Sequence, residues 1–380
     1  MNKPKIIRAT TVPISLNAFC NGMLKELSEK YEVVALSSPG EDLQEVAERE
    51  GVHTIEVPMK RHISILKDCK ALWKMWRVFR KEKPKMVHSM TPKAGMLCMV
   101  AGWLAGVPVR VHTFTGLVFP SSTGLKRRIL MFTDWLTCAC ATHIIPEGEG
   151  VKNDLLNNSI TKKPLKVLGY GNVRGVDLEY YSKLRVNGEK LKVKDKLSFL
   201  FVGRIVRDKG INELVKAFCR LHEQYPNTRL WLVGPYEDGL DPINDEARKD
   251  IAENDGIEAV GMKSGNELLA YYAAADCFVL PSYREGFPNT VLEAGAMGLP
   301  SIVTDINGSR EIIKDGVNGL IVQPRDAGAL YQAMQLMLRS TIDRDRMAGN
   351  ARKMIADRFE QSFVRKCLYD FYDEILQDIL

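Results

Sequence analysis

Short runs of apolar and β-branched residues alternate along the whole chain with longer stretches whose apolar positions recur every three or four residues. In the first half the short runs predict strands at 5–10, 32–38, 54–58, 85–89, 109–115 and 142–146. The amphipathic stretches between them predict helices near 16–29, 42–50, 63–83, 93–104 and 125–137. Strands separated by helical crossovers imply right-handed βαβ units and a parallel sheet. The alternation pauses between Leu168 and Glu189, where glycine-rich turns lead into a charged stretch with little periodicity. A second series then begins, with strands expected at 197–202, 229–234, 277–281, 301–304 and 319–322. The expected architecture is therefore α/β, with two Rossmann-like domains over 1–170 and 196–358 facing a central cleft. Residues 171–195 are the expected linker, and a final helix over 359–380 is placed to cross back to the first domain.

Length and composition agree with this picture. At 380 residues the chain exceeds one ordinary core. The net charge of +6 suits an anionic substrate or membrane surface, but it lacks the concentrated basicity of a nucleic-acid binder. The eight cysteines are scattered and form no CxxC pair, which points to a reducing cytoplasm and away from disulfides or a bound metal. The uncharged run over 96–109 is broken by Gly102, Gly106 and Pro108 and is too short to span a bilayer. The polar start, Met1 to Thr10, has no apolar signal core, so the expected location is cytoplasmic, with peripheral contact at the inner membrane face left open.

The densest candidate chemistry follows the first strand of the second series. Gly203-Arg204 ends that strand, and Lys209 precedes Gly210, which opens a helix. Two cations at the carboxyl edge of a parallel sheet are placed to hold a diphosphate, whose charge grows as a sugar departs. The bland alternative is a pair of solvated loop charges. After the strand at 277–281, Glu285-Gly286-Phe287-Pro288-Asn289-Thr290 leads into a helix that carries Glu293. A helix N-terminus attracts anions, and glycine lets backbone amides approach a ligand. One carboxylate is placed for donor-sugar hydroxyls and the other for ribose hydroxyls, though Glu293 alone reads equally as a helix-surface charge.

The Glu285-x7-Glu293 run, the Arg204/Lys209 loop and the segments 304–311 and 315–319 together resemble the donor signature of family 4 retaining glycosyltransferases of the GT-B fold. That resemblance implies that Arg204 and Lys209 bind the diphosphate and Glu285 the transferred sugar. It gives Glu293 to the ribose and Gly286, Phe287 and Thr290 to loop and helix-start contacts. It further implies a UDP-linked sugar as substrate, no cofactor, no metal, and attack on the face that the phosphate leaves.

In the first half the resemblance is looser. Thr10-Thr11-Val12-Pro13 stands where many relatives have a glycine-rich loop, and Thr115 stands where many carry a histidine. His88, His112, Thr115 and Gly116 are the acceptor-side candidates, with a hydrogen-bonded strand-end role the alternative for both histidines. The turn at 37–40 and these variants resemble bacterial surface-polysaccharide enzymes. Those extend undecaprenyl-diphosphate-linked saccharides with UDP-linked N-acetylated amino sugars. The helix over 63–83 supports a lipid-linked acceptor independently. Ile65, Cys69, Leu72, Trp73, Trp76 and Phe79 share one face, and Lys67, Lys70, Lys74, Arg77 and Lys81 the other. Such a helix suits an anionic membrane surface, as do Lys126, Arg127 and Arg128, while the ordinary alternative packs its apolar face on the sheet. A GT-B nucleotide-sugar 2-epimerase and a non-catalytic GT-B partner protein remain competing readings.

Overall fold

The computed structural model describes residues 3–60, 64–186, 188–192, 195–239 and 241–377. They divide into two compact units, the first Met1–Arg174 with Ser362–Leu380 and the second Gly175–Gln361. The first unit opens with β1 (Lys5–Ala9), α1 (Pro13–Cys20), α2 (Met23–Ser28), β2 (Glu32–Ser37), α3 (Glu41–Glu50) and β3 (His53–Glu56). It continues with α4 (Ile65–Glu82), β4 (Met86–Ser89), α5 (Pro92–Ala105), β5 (Val109–Phe114), α6 (Gly124–Cys140), β6 (His143–Pro146) and α7 (Glu149–Asn157). The second runs β7 (Leu197–Val202), α8 (Ile211–Gln224), β8 (Thr228–Val233), α9 (Asp245–Glu253), β9 (Ile257–Gly261), α10 (Gly265–Ala274) and β10 (Cys277–Leu280). There follow α11 (Asn289–Ala296), β11 (Ser301–Thr304), α12 (Ser309–Ile312), β12 (Gly319–Val322), α13 (Ala327–Arg339) and α14 (Thr341–Phe359). The last helix, α15 (Gln361–Leu376), returns to the first unit.

Each unit holds a six-stranded parallel sheet, ordered β3-β2-β1-β4-β5-β6 in the first and β12-β11-β10-β7-β8-β9 in the second. Counted from each unit's first strand, both orders are 3-2-1-4-5-6, the doubly wound arrangement. Successive residues of the first sheet feed opposite cores. Ile7, Val34, Leu36, Val87 and Ile144 pack under α4–α6, whereas Ile6, Val33, Ala35, Met86 and Ile145 pack under α1–α3 and α15. That alternation is the two-residue period of a strand buried on both faces.

Several sequence expectations shift. The helix expected over 16–29 is two helices, because the chain turns at Asn21-Gly22 and the buried Glu50 carboxylate accepts from the Gly22 and Lys25 amides. Ile63, where the helix over 63–83 is expected to begin, lies outside the described residues. Downstream, the buried stripe of α4 is Ala71, Met75 and Phe79, while Ile65, Cys69 and Trp73 are exposed and Leu72 and Trp76 half-buried. α4 packs on α5 through the small Ala71 side chain, Leu72 and Trp76 lie partly buried against the same core, and Trp73 faces outward. Residues 175–192, expected as linker, pack on the second unit through Leu178, Tyr180, Tyr181, Val186 and Leu191. Arg352 fastens this segment by donating to the Leu178 and Tyr181 carbonyls at 2.8 and 2.7 Å. The final stretch also divides later than expected, since Phe359 ends α14 inside the second core.

Candidate active site

In the second sheet, β7 and β10 are neighbours whose crossovers leave in opposite directions, so their carboxyl ends form the switch point where ligands of such sheets bind. Two glycines bring the surrounding loops together. A Cβ on Gly210, at φ +71°, would stand 2.1 Å from the Pro281 carbonyl oxygen. A Cβ on Gly234, at φ +146°, would stand 1.9 Å from the Gly203 carbonyl oxygen. Side chains are thus excluded where the loop after β7 meets the loops after β8 and β10.

Sequence reasoning placed Arg204, Lys209 and Glu285 on these loops, and the structure brings Lys209 and Glu285 together as an ion pair. Arg204 lies on the same loop as Lys209, 43% exposed, and donates to Glu237 Oε2 at 2.6 Å. Glu237 follows β8 and was missed by the sequence reading, although Pro235-Tyr236-Glu237-Asp238 is an acidic loop directly beyond a strand. Ile205 N donates to the Pro235 carbonyl at 2.8 Å, which holds that loop beside Arg204. Also unforeseen are the ion pairs Arg284–Asp208 at 2.9 Å and Arg207–Asp241 at 2.8 Å. Each of these edge cations is therefore matched by a carboxylate of the same unit. An incoming dianion has to exchange with those carboxylates.

Thr290 lies in the first turn of α11, half-buried, after Gly286, and the N-cap residue Pro288 offers no capping side chain. Glu293 is buried on α11 and accepts from the Tyr272 hydroxyl at 3.1 Å, so it is no helix-surface charge. Phe287, expected among the loop contacts, turns its side chain into the core. It is buried against Phe359, ring centroids 5.4 Å apart and edge to face, which leaves only its backbone for a ligand.

In the first unit, His88 and His112 are both buried. His112 Nδ1 is 2.9 Å from Ser89 Oγ, and burial pulls its pKa down to about 3. His88 Nε2 is 2.7 Å from Thr113 Oγ1 and its Nδ1 2.7 Å from Arg8 Nη1, and burial, the Arg8 charge and His112 together hold it well below the usual histidine range. Both rings are hydrogen-bonded at their strand ends, and burial favours their neutral form. Thr115 and Gly116 follow β5 and are half-buried. The β1–α1 turn is closed by hydroxyls: Thr11 N donates to Thr91 Oγ1 at 2.8 Å, and Ala94 N at the start of α5 donates to Thr11 Oγ1 at 3.1 Å.

Two doubly wound units, with paired cations and carboxylates at the switch point of the second, define the GT-B class of glycosyltransferases. Residues 16–171 match the family model of the glycosyl transferase 4-like domain, and residues 185–354 that of glycosyl transferases group 1. The chain is 30% identical over 386 residues to the capsular polysaccharide biosynthesis glycosyltransferase CapM of Staphylococcus aureus, spanning 100% of this chain and 99% of that one. It is 30% identical over 311 residues to the UDP-Gal:alpha-D-GlcNAc-diphosphoundecaprenol alpha-1,3-galactosyltransferase of Escherichia coli, covering 79% of this chain and 78% of that one. Its fold superimposes on Anabaena HepE, solved with UDP and glucose, with TM-score 0.81 at 17% identity over 98% of this chain and 100% of the other. The chain belongs to the family 4 glycosyltransferases of GT-B fold.

Proposed function

We propose that this glycosyltransferase moves a sugar from a UDP-sugar to a polyprenyl-diphosphate-linked saccharide in the synthesis of a surface polysaccharide. The observation that carries this reading is the Arg204/Lys209 pair at the switch point of the second sheet, with Glu285 beside it. Both cations are placed to take up the charge that grows on the diphosphate as the sugar leaves, which favours the transition state over bound substrate. Glu285 orients the transferred sugar and Glu293 the ribose. Gly286 and Thr290 meet the donor at the start of α11, where Phe287 contributes backbone alone. The reaction retains anomeric configuration without a metal, and a diphosphate oxygen takes the acceptor proton. Thr115 and Gly116 are the acceptor-side residues. The Escherichia coli relative, whose acceptor is a diphosphoundecaprenol-linked sugar, supports a lipid-linked acceptor, and the resemblance at 37–40 and 115 supports an N-acetylated amino sugar as the group moved.

The first unit supports contact with the membrane that carries such an acceptor. Among the described residues no helix is long and apolar enough to cross a bilayer. Yet Ile65, Leu66 and Trp73 on α4 are exposed, and so are Leu125, Ile129, Phe132 and Trp135 on α6, among Lys67, Lys70, Lys74, Lys126 and Arg128. Apolar side chains rimmed by lysines suit an anionic interface. Salt-sensitive sedimentation with anionic vesicles tests this, and equal binding to neutral vesicles would refute the electrostatic contribution.

The donor reading is tested by thermal unfolding with UDP, GDP and ADP. A ligand at about 100 times its dissociation constant adds about 2.7 kcal/mol, a rise of roughly 5–10 °C for a unit this size. A UDP-selective rise is expected, followed by transfer of label to a lipid-linked acceptor only when both substrates are present. Epimerised nucleotide sugar formed without acceptor would replace this reading with that of an epimerase.

A further inference from the structure

The first sheet has a switch point of its own, between β1 and β4, and a cation lies buried there. Arg8 on β1 is 1% exposed. It is in register with His88 on β4, and Thr113 on β5 shares their side of the sheet, facing α15. The Arg8 guanidinium meets His88 Nδ1 and the Tyr372 hydroxyl of α15 through Nη1, and the sulfurs of Met90 at 2.8 Å and Cys20 at 3.6 Å through Nη2. Tyr372 Oη in turn lies 2.5 Å from His88 Nδ1. No carboxylate pairs with Arg8 among the described residues, and its Nε hydrogen has no acceptor.

A guanidinium stays charged at any pH a protein meets. His88 is neutral, as argued above, and burial pushes the Tyr372 hydroxyl up to about 12, so neither ring supplies a negative charge at neutral pH. Weak sulfur acceptors do not replace one. An unpaired buried charge costs several kcal/mol, which a fold tolerates only when something neutralises it. Beside Arg8, His88 and Thr113 lies a cavity of about 20 Å³, lined on its other sides by Leu168, Asn172 and Leu368 among others. That volume admits a water or a monatomic ion.

We propose that the Arg8 cavity is a binding site for a monovalent anion of chloride size, which completes the charge balance beneath α15 and fastens that helix to the sheet. This site lies wholly within the first unit and is independent of the donor reading. Its test is the thermal unfolding of the wild-type chain in sodium chloride and in sodium gluconate at matched ionic strength, gluconate being too large to enter. Chloride is expected to raise the midpoint by about 3 °C with a saturable dependence on its concentration, and Arg8→Met to abolish the difference between the salts. Crystals of the wild type grown in bromide provide a readout that needs no variant, and an anomalous peak within contact of the Arg8 guanidinium is expected. Identical midpoints in the two salts, or a bromide map without that peak, would mean that water fills the cavity and would overturn the proposal.

Discussion

The two units carry the same strand order, and each has an arginine at its switch point, yet those arginines live in opposite surroundings. Arg8 is sealed under α15 among rings and sulfurs, whereas Arg204 is 43% exposed and held by one carboxylate. What decides between them is the material that follows each strand. Beyond β1 the chain is closed by Thr11 and Thr91, and α15 covers the face on which Arg8 lies. Beyond β7, glycines leave a narrow ledge of loops with charges along it. Identical topology therefore seats one arginine in a buried pocket and the other on an exposed loop beside a carboxylate.

Three substitutions probe this contrast. The largest effect is expected from Arg204→Ala, which on the proposed role of this side chain in stabilising developing charge should lower turnover by about 100-fold or more while leaving the unfolding midpoint near that of wild type. Steady-state transfer assays beside a melting curve check it, and unchanged turnover would remove Arg204 from the chemistry. Next comes Gly95→Ala in α5. Alanine ordinarily favours a helix, but here the new Cβ would stand 2.3 Å from His112 Cε1, and that ring is tied to Ser89. The clash should outweigh the gain and cost about 1–3 kcal/mol, lowering the melting midpoint with UDP affinity unaltered. The smallest effect belongs to Glu237→Gln. Removing the carboxylate that competes for Arg204 should tighten UDP binding by about two- to fivefold, the worth of an exposed pair. Calorimetry reads this directly, and weaker binding would show that Glu237 itself holds the nucleotide.

Most of the fold was legible because buried parallel strands are written as short apolar runs, and eleven of these drew the two sheets. β9 escaped because it is an edge strand, where only Ile257 is buried and Glu258 and Ala259 face solvent. The face of α4 was misjudged because tryptophans dominate any count of apolar weight, while packing against α5 selects the small Ala71. At the candidate site, the spacing of Arg204, Lys209, Glu285 and Glu293 was readable along the chain. The counter-charges were not, since Glu237 reaches Arg204 across a gap of 33 residues that only the β7–β8 pairing closes. The same holds for Tyr372, which meets Arg8 from 364 residues away.

The exposed helical layer of the first unit has an optical consequence. Of the five tryptophans, Trp73, Trp103 and Trp135 are exposed on α4, α5 and α6, while Trp231 is buried in the second unit. Water relaxing around the three exposed indoles shifts their emission to the red, and the buried one emits to the blue. The red end of the fluorescence spectrum thus reports mainly on the first unit and Trp231 at the blue end on the second, with half-buried Trp76 of the first unit between them.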